Sequence, residues 1–154
     1  MNSSQIQLVT ARRLLRSGVL LVLLGLVTGL VVPVVSNPRM GLSSHLEGVM
    51  NGTFLVVLGL LWPKLRLSDR SLVTTFWLAI YSTYLNWATT LAAAVWGAGG
   101  SRMPIAAFGR KGTPLQETLV SLGLVSLAVG MLATCMIVLW GLRGADPNTS
   151  NDMG

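Results

Sequence analysis

The residues best suited to chemistry lie in one short stretch, HLEGVMNG at 45–52, which contains the only histidine of the chain, a carboxylate and an amide. His45, Glu47 and Asn51 fall at the start of a long apolar run or inside it. Polar groups in such a run are costly unless they are hydrogen-bonded, and ionisable ones often mark function. Asn51 lies six residues beyond His45, about 9 Å deeper along a helix. These three side chains are therefore the first candidates for a site.

A second group of polar side chains lies in the next apolar run. Thr83, Asn86 and Thr90 are spaced i, i+3 and i+7 and so share one helix face, with Tyr84 and Trp87 close by. This stripe is suited to lining a pocket for an aromatic ligand. The alternative is a packed helix interface, which explains the hydroxyls and rings but explains the amide less well. An interhelical hydrogen bond is likewise an alternative for the amide at position 51.

Helix capping offers a structural explanation for two carboxylates. SHLE matches a capping box, with Ser44 as the cap and Glu47 reaching back to its backbone N–H. TPLQE supplies Thr113 as a cap and Gln116 three residues later, which leaves Glu117 in the first turn, where the helix dipole favours a negative charge. We therefore expect both glutamates to be structural.

The inventory of metal ligands is small. One histidine excludes a haem with two histidine ligands from one chain, but it allows a single axial ligand and an open sixth position. The sequence has no Cys/His cluster, acidic metal box or glycine-rich phosphate loop. Cys135 is the only cysteine and lies in an apolar run, so we expect it to pack as a small hydrophobe.

The elements that must position these residues are four apolar segments. The chain of 154 residues is 52% hydrophobic and 10% charged, whereas soluble domains have about 25% charged residues. A bilayer accepts helices or closed barrels, and each segment has roughly the 20 residues that a helix needs to span it. We predict an all-α, single-domain integral membrane four-helix bundle with helices at about 17–36, 44–62, 71–97 and 114–143, and a disordered tail at 145–154.

The distribution of basic residues predicts the orientation. The net charge is +6, but no basic stripe that would bind nucleic acid is present. Seven basic residues lie on one side of the predicted helices and four on the other, which places both termini in the cytoplasm. We expect a multi-pass protein of the bacterial cytoplasmic (inner) membrane, in contact with lipid. The two sides carry, respectively, Arg12, Arg13, Arg16, Lys64, Arg66, Arg70 and Arg143, and Arg39, Arg102, Arg110 and Lys111.

Two further features concern packing. The segments GLVTG at 25–29 and GVMNG at 48–52 are small-xxx-small patterns that allow helix backbones to approach, and they are weak evidence for oligomerisation. The loop at 97–114 mixes glycine and proline with apolar residues. A loop of this length either folds back over a site or lies on the membrane surface.

The motifs carry a resemblance to a known family. HLEGVMNG resembles the His-x5-Asn-Gly motif of the small membrane isomerases of the styrene oxide isomerase family. YLNWATTLAAAVWGAGG at 84–100, with the four-helix layout, is similar to the hydroxylaminobenzene mutase branch of that family. The resemblance covers nearly the whole chain.

The resemblance implies a homotrimer that holds haem b, with His45 as the axial iron ligand and Asn51 positioning the substrate oxygen. The epoxide enzymes also use a tyrosine six residues after the tryptophan that corresponds to Trp87, and that position here is Ala93. This difference argues against an epoxide substrate. Tyr84 and Asn86 are the catalytic candidates that remain near this position.

The implied reaction rearranges an aryl hydroxylamine, such as hydroxylaminobenzene, to an ortho-aminophenol, here 2-aminophenol. The N–O bond must break heterolytically, so an open iron position acting as a Lewis acid would stabilise the departing oxygen. Asn51 would assist as a fixed dipole, and holding the oxygen near the ring would direct it to the ortho carbon. The alternatives are an epoxide isomerase of the same family, a small four-helix transporter that couples protons through a carboxylate, and an anchor subunit without cofactor.

Overall fold

The chain is helical throughout the part that the structure describes. The computed structural model describes residues 3–143, without the side chains of the first two; the tail predicted at 145–154 lies outside this range. Four long helices are joined by short connections, and no strand occurs between residues 3 and 143. The helices are α1 (Ser3–Val31), α2 (Pro38–Leu61), α3 (Asp69–Trp96), the short α4 (Pro104–Ala107) and α5 (Pro114–Gly141), with 3-10 turns at Val32–Val34 and Trp62–Lys64.

Helix α1 begins at Ser3, well before the predicted start at residue 17. Its first half is amphipathic, so a search for continuous apolar sequence misses it. Ala11 and Leu14 are buried, whereas Arg12 and Arg13 between them are exposed. The buried pair packs in the same core as Trp62 at the end of α2, which explains why the helix extends past the arginines.

Helix α2 begins at Pro38, six residues before the predicted start. Asn37 is the N-cap, and its side-chain oxygen accepts a hydrogen bond from the backbone N–H of Met40 at 3.2 Å. Proline at the first helical position reinforces this start, because its fixed φ suits the helix and its missing N–H costs nothing there. Ser44 therefore lies inside α2.

Helices α3 and α5 begin close to their predicted starts because both have strong caps. Ser68 caps α3 through the N–H of Ser71. Thr113 and Gln116 form the predicted capping box at the start of α5, and each side chain bonds to the other residue's backbone N–H. α3 ends where Gly97 adopts the left-handed conformation at φ 66°, which glycine accepts without strain.

Helices α1, α2 and α3 contact one another, and α5 packs on α3. α1 packs along α2, α2 packs against α3, and the extensive contacts of α5 within residues 3–143 are with α3. The Tyr81 hydroxyl on α3 donates a 3.0 Å hydrogen bond to the Ser126 hydroxyl on α5. The polar residues of α2 consequently face α1 or α3.

Three helices are long and apolar enough to cross a membrane. The segments are Gln5–Val34, Pro38–Lys64 and Pro114–Gly141. α3 has the necessary length of 28 residues but is not among them. Its threonine, serine, asparagine, tyrosine and tryptophan residues, including the stripe identified from the sequence, make it more polar than the other three.

Glycines bring the backbones of α1 and α2 into direct contact. A Cβ added to Gly48 would lie 2.5 Å from the Cα of Gly25, and one added to Gly52 would lie 2.7 Å from the carbonyl oxygen of Gly18. The two small-xxx-small segments therefore pack against each other within one chain. Their glycines are explained by this contact without any second copy.

Substitution of Gly48 by alanine is expected to separate α1 from α2. The new methyl group would meet the Gly25 backbone and also Cδ1 of Trp87, at 3.0 Å, so two helices would have to move. Overpacking of this kind costs about 1–3 kcal/mol. We expect a lower midpoint of thermal unfolding in detergent, with Thr53→Ala, an exposed position on the same helix, as the control. Equal midpoints for the two variants would contradict the close contact.

Candidate functional site

The site is centred on the carboxylate of Glu47, which accepts hydrogen bonds from two amide side chains. Oε2 of Glu47 lies 3.0 Å from Nδ2 of Asn51, one turn further along α2. The same oxygen lies 2.6 Å from Nδ2 of Asn86 on α3. The structure thus brings together the asparagines that the sequence placed in separate apolar runs.

The capping interpretation of Glu47 is wrong. The helix starts at Pro38, so Ser44 and Glu47 are both interior residues. The Ser44 hydroxyl instead donates to the backbone carbonyl of Trp87 at 3.1 Å. Both side chains therefore connect α2 to α3, and a carboxylate lies within a segment apolar enough to span a bilayer.

Of the other polar residues of α3 in this region, Thr83 and Thr90 bond within their own helix and Trp87 bonds to α1. The hydroxyls of Thr83 and Thr90 are buried and donate to carbonyls of their own helix, so they do not line a pocket. The indole N–H of Trp87 donates to the Thr28 hydroxyl of α1 at 3.0 Å. Of the three residues on the predicted polar face, Thr83, Asn86 and Thr90, only Asn86 bonds to a polar side chain of another helix.

Tyr84 does not join the carboxylate and the two amides. Its hydroxyl donates to the backbone carbonyl of Ser17 on α1 at 2.9 Å. Its ring packs at the edge of the core that includes Leu21 and Leu55. In this chain Tyr84 attaches α3 to α1.

His45 is held against α1 by a hydrogen bond and by a close glycine contact. Nδ1 lies 2.8 Å from the carbonyl oxygen of Gly25. A carbonyl accepts hydrogen bonds, so this distance assigns the proton to Nδ1 and leaves the lone pair on Nε2. A Cβ on Gly29 would lie 2.8 Å from Nδ1, so the ring occupies the space that a larger side chain would fill.

His45 and the amide cluster lie on different sides of α2. At 3.6 residues per turn, His45 and Asn51 are about 120° apart around the helix. His45 contacts α1, whereas Glu47 contacts Asn86 on α3. One chain therefore presents the histidine and the amides on separate faces.

The loop that follows α3 folds back onto the start of α2. The Asn37 side chain donates to the carbonyls of Ala106 and Ala107 at 3.3 and 3.2 Å. The Arg39 guanidinium lies 4.2 Å from the centre of the Phe108 ring. The loop thus covers the end of α2 that precedes His45.

Glu117 organises the other end of this loop and is structural, as the sequence indicated. Its carboxylate accepts hydrogen bonds from four backbone N–H groups. Three go to Oε1, and the fourth goes to Oε2 at 3.1 Å. The donors belong to Gly99, Gly100, Ser101 and Gly112.

The sequence proposed Asn51 and Asn86 as candidate site residues but did not predict that both bond to Glu47. Asn37 and Glu47 are two residues whose contacts were missed. The signal for Asn37 was available in SNP, because asparagine before proline is a strong helix start. Moving the start of α2 back to that proline would have placed Glu47 inside the helix, where it needs partners other than a cap.

The fold and the site define a helical protein of membrane type with an internal carboxylate–amide cluster. Comparison with known proteins narrows this class. The family described as styrene oxide isomerase matches residues 10–143. The chain belongs to this family, and it is an isomerase.

Two curated relatives come from Ectopseudomonas oleovorans. Hydroxylaminobenzene mutase HabB is 54% identical over 142 residues, which cover 92% of this chain and 87% of the relative. Hydroxylaminobenzene mutase HabA is 52% identical over 129 residues, which cover 84% and 96% respectively. No solved structure matches the chain.

Replacement of Glu117 by glutamine is expected to loosen the loop between α3 and α5. Glutamine has one side-chain acceptor oxygen, so it cannot serve the N–H groups at both carboxylate oxygens. We expect faster amide hydrogen exchange across residues 99–112, measured by mass spectrometry in detergent, and unchanged exchange in Thr118→Ala as a control at an exposed position. Unaltered protection in Glu117→Gln would show that the loop is held by other contacts.

Proposed function

We propose that this chain is a multi-pass isomerase of the bacterial inner membrane that rearranges an aryl hydroxylamine, such as hydroxylaminobenzene, to 2-aminophenol. The observation that carries the proposal is the high identity to two hydroxylaminobenzene mutases over most of both chains. The apolar helices support the membrane location. In this proposal α3 is the fourth spanning helix of the bundle, and the basic residues keep both termini in the cytoplasm.

The cofactor of the proposal is haem b, with His45 as its axial ligand. The residues present fit that group, because the hydrogen bond from Nδ1 to the Gly25 carbonyl selects the neutral tautomer whose lone pair is on Nε2, and it orients the ring. A single histidine would leave one coordination position open. Haem bound in this way would supply a Lewis acid for the hydroxylamine oxygen.

The residues of the chain would bind and orient the substrate. Asn51 is 8% exposed and its amide is held by Glu47, so it presents a fixed dipole in a water-poor environment. The Asn51 N–H that is not bonded to Glu47 would stabilise developing negative charge without reorganisation, and a fixed substrate would keep the departing oxygen near the ortho carbon. The apolar surroundings exclude water that would compete for that carbon.

Of the other two catalytic candidates, Asn86 is better placed than Tyr84. Asn86 shares the Glu47 oxygen with Asn51, so it is positioned to contact the same substrate. Tyr84 already donates its hydroxyl to Ser17, which favours a role in holding α3 on α1. Ala93, at the position of the family tyrosine, is buried and has no polar group to offer.

A homotrimer is part of the proposal because the two halves of the site lie on different faces of α2. His45 from one copy could meet the amide cluster of the next across an interface. The outer face of α2, opposite the buried Ser44 and Gly48, carries Leu42, Leu46 and Met50, which are 49–66% exposed. Subunit contact would cover this apolar surface.

Replacement of His45 by alanine tests the cofactor. The purified wild type, produced with ample haem, is expected to show a Soret band that His45→Ala lacks, because the variant has no imidazole in the chain. Added imidazole should restore part of the band by occupying the vacated position. A colourless, folded wild type would eliminate haem from the proposal, and a variant that keeps an unaltered band would eliminate His45 as the ligand.

An epoxide substrate is the second candidate, favoured by the name of the matching family. Phenylhydroxylamine and styrene oxide supplied in parallel to the same purified protein would distinguish the two. We expect 2-aminophenol from the first and little or no aldehyde from the second, since Ala93 lacks a hydroxyl to orient the epoxide oxygen. A higher kcat/KM for the epoxide would reverse the assignment.

A further inference from the structure

The unusual feature of the site is that one carboxylate oxygen accepts from two asparagines. Glu47 lies inside α2, and Oε2 receives both amide N–H groups, at 3.0 and 2.6 Å. No aspartate, lysine or arginine takes part in these contacts among the described residues. A carboxylate inside a span is expensive, and a hydrogen bond between two helices needs no charge. Helix packing alone therefore does not explain why this residue is a glutamate.

A carboxylate determines the direction in which each amide points. It has no proton to donate when ionised, so only the nitrogen side of Asn51 or Asn86 can face it. The carbonyl oxygen of each amide is thereby turned away. Asn51 Oδ1 has no hydrogen-bond partner among the described residues, so it remains free to accept from a ligand.

We propose that Glu47 is a positioning residue that fixes the amide of Asn51 for a substrate that both donates and accepts hydrogen bonds. This inference rests on the proposed function and names the feature of the substrate that the site selects. An aryl hydroxylamine has N–H and O–H donors for the fixed carbonyl oxygen, and its oxygen can accept the second N–H of the amide. An epoxide has no donor, so it could accept the second N–H of the amide but could not bond to its carbonyl oxygen, and it would be held by one hydrogen bond fewer.

A double-mutant cycle between Glu47→Leu and Asn51→Ala tests whether Glu47 acts through Asn51. Leucine keeps the bulk and suits an apolar segment, but it removes the acceptor. We expect Glu47→Leu to lower kcat for phenylhydroxylamine by about 10- to 100-fold, the usual range for a residue that supports a contact group, while KM and Soret intensity change little. The double variant should be no slower than Asn51→Ala, because Glu47 has nothing left to position.

Two further variants separate positioning from helix packing. Glu47→Gln keeps the bulk and an acceptor oxygen but adds an N–H donor that allows either amide to turn round, so it should recover only part of the rate lost in Glu47→Leu. Ser126→Ala removes a different interhelical hydrogen bond, the one from Tyr81, and should leave kcat unchanged. Additive losses in the cycle, or an equal loss in Ser126→Ala, would overturn the proposal in favour of a general packing role.

A spectroscopic measurement tests the same inference without turnover. In protein labelled with 15N-asparagine, the side-chain NH2 signal of Asn51, assigned with Asn51→Asp, should be shifted by its bond to the carboxylate and should move in Glu47→Leu. A signal that is identical in both proteins would overturn the positioning role. Absence of mutase activity in the wild type would count against the proposed function, whereas the NMR result would still decide the role of Glu47.

Discussion

The contact between the backbones of α1 and α2 is the constraint on which the rest of the structure depends. Gly25 and Gly48 meet without side chains between them, and this closeness brings the Gly25 carbonyl within 2.8 Å of the His45 imidazole. Lipid is as apolar as the helix surfaces, so burial alone provides little drive for helices to associate in a membrane. Close packing and hydrogen bonds supply it instead, and here the same contact orients the histidine. Trp87 lies over Gly48 and donates to Thr28, which attaches α3 to the same junction.

Hydrogen bonds between polar residues of α2 and α3 position these two helices relative to each other. The Ser44 hydroxyl bonds to a backbone carbonyl of α3, which aligns the two helices, and Glu47 then meets Asn86 one turn further along α2. At a surface, water would also donate hydrogen bonds to the Glu47 side chain. Among apolar neighbours, the amides of Asn51 and Asn86 are its donors. Two amide N–H groups bond to the Glu47 side chain, and such hydrogen bonds reduce the cost of burying a polar group. Stability and the geometry of the site thus depend on the same few atoms.

The sequence predicted those features that local chemistry determines. Thr113 and Gln116 define the start of α5 because a capping box is complete within four residues, and the helical class follows from long apolar runs. The early start of α1 was not predicted, because Ala11 and Leu14 are buried only through contact with a distant helix end. The partnership of Glu47 and Asn86 was missed for the same reason, since it joins residues 39 positions apart. The SHLE motif predicted a cap for Glu47, and this prediction was wrong because Glu47 bonds to Asn86 of a different helix.

The separation of His45 from the amides has a consequence for how such a site would work. The arc of about 120° on α2 between His45 and Asn51 contains Ser44 and Gly48, which pack against α3 and α1, so the packed helices fill the space between the two groups. The opposite, outer face of α2 carries Leu42, Leu46 and Met50 and stays exposed within residues 3–143. Association of copies would cover this face. In such an assembly the contact between Gly25 and Gly48 would still set the position of His45, and Glu47 would still set the direction of the Asn51 amide. Both side chains would therefore be positioned within each chain.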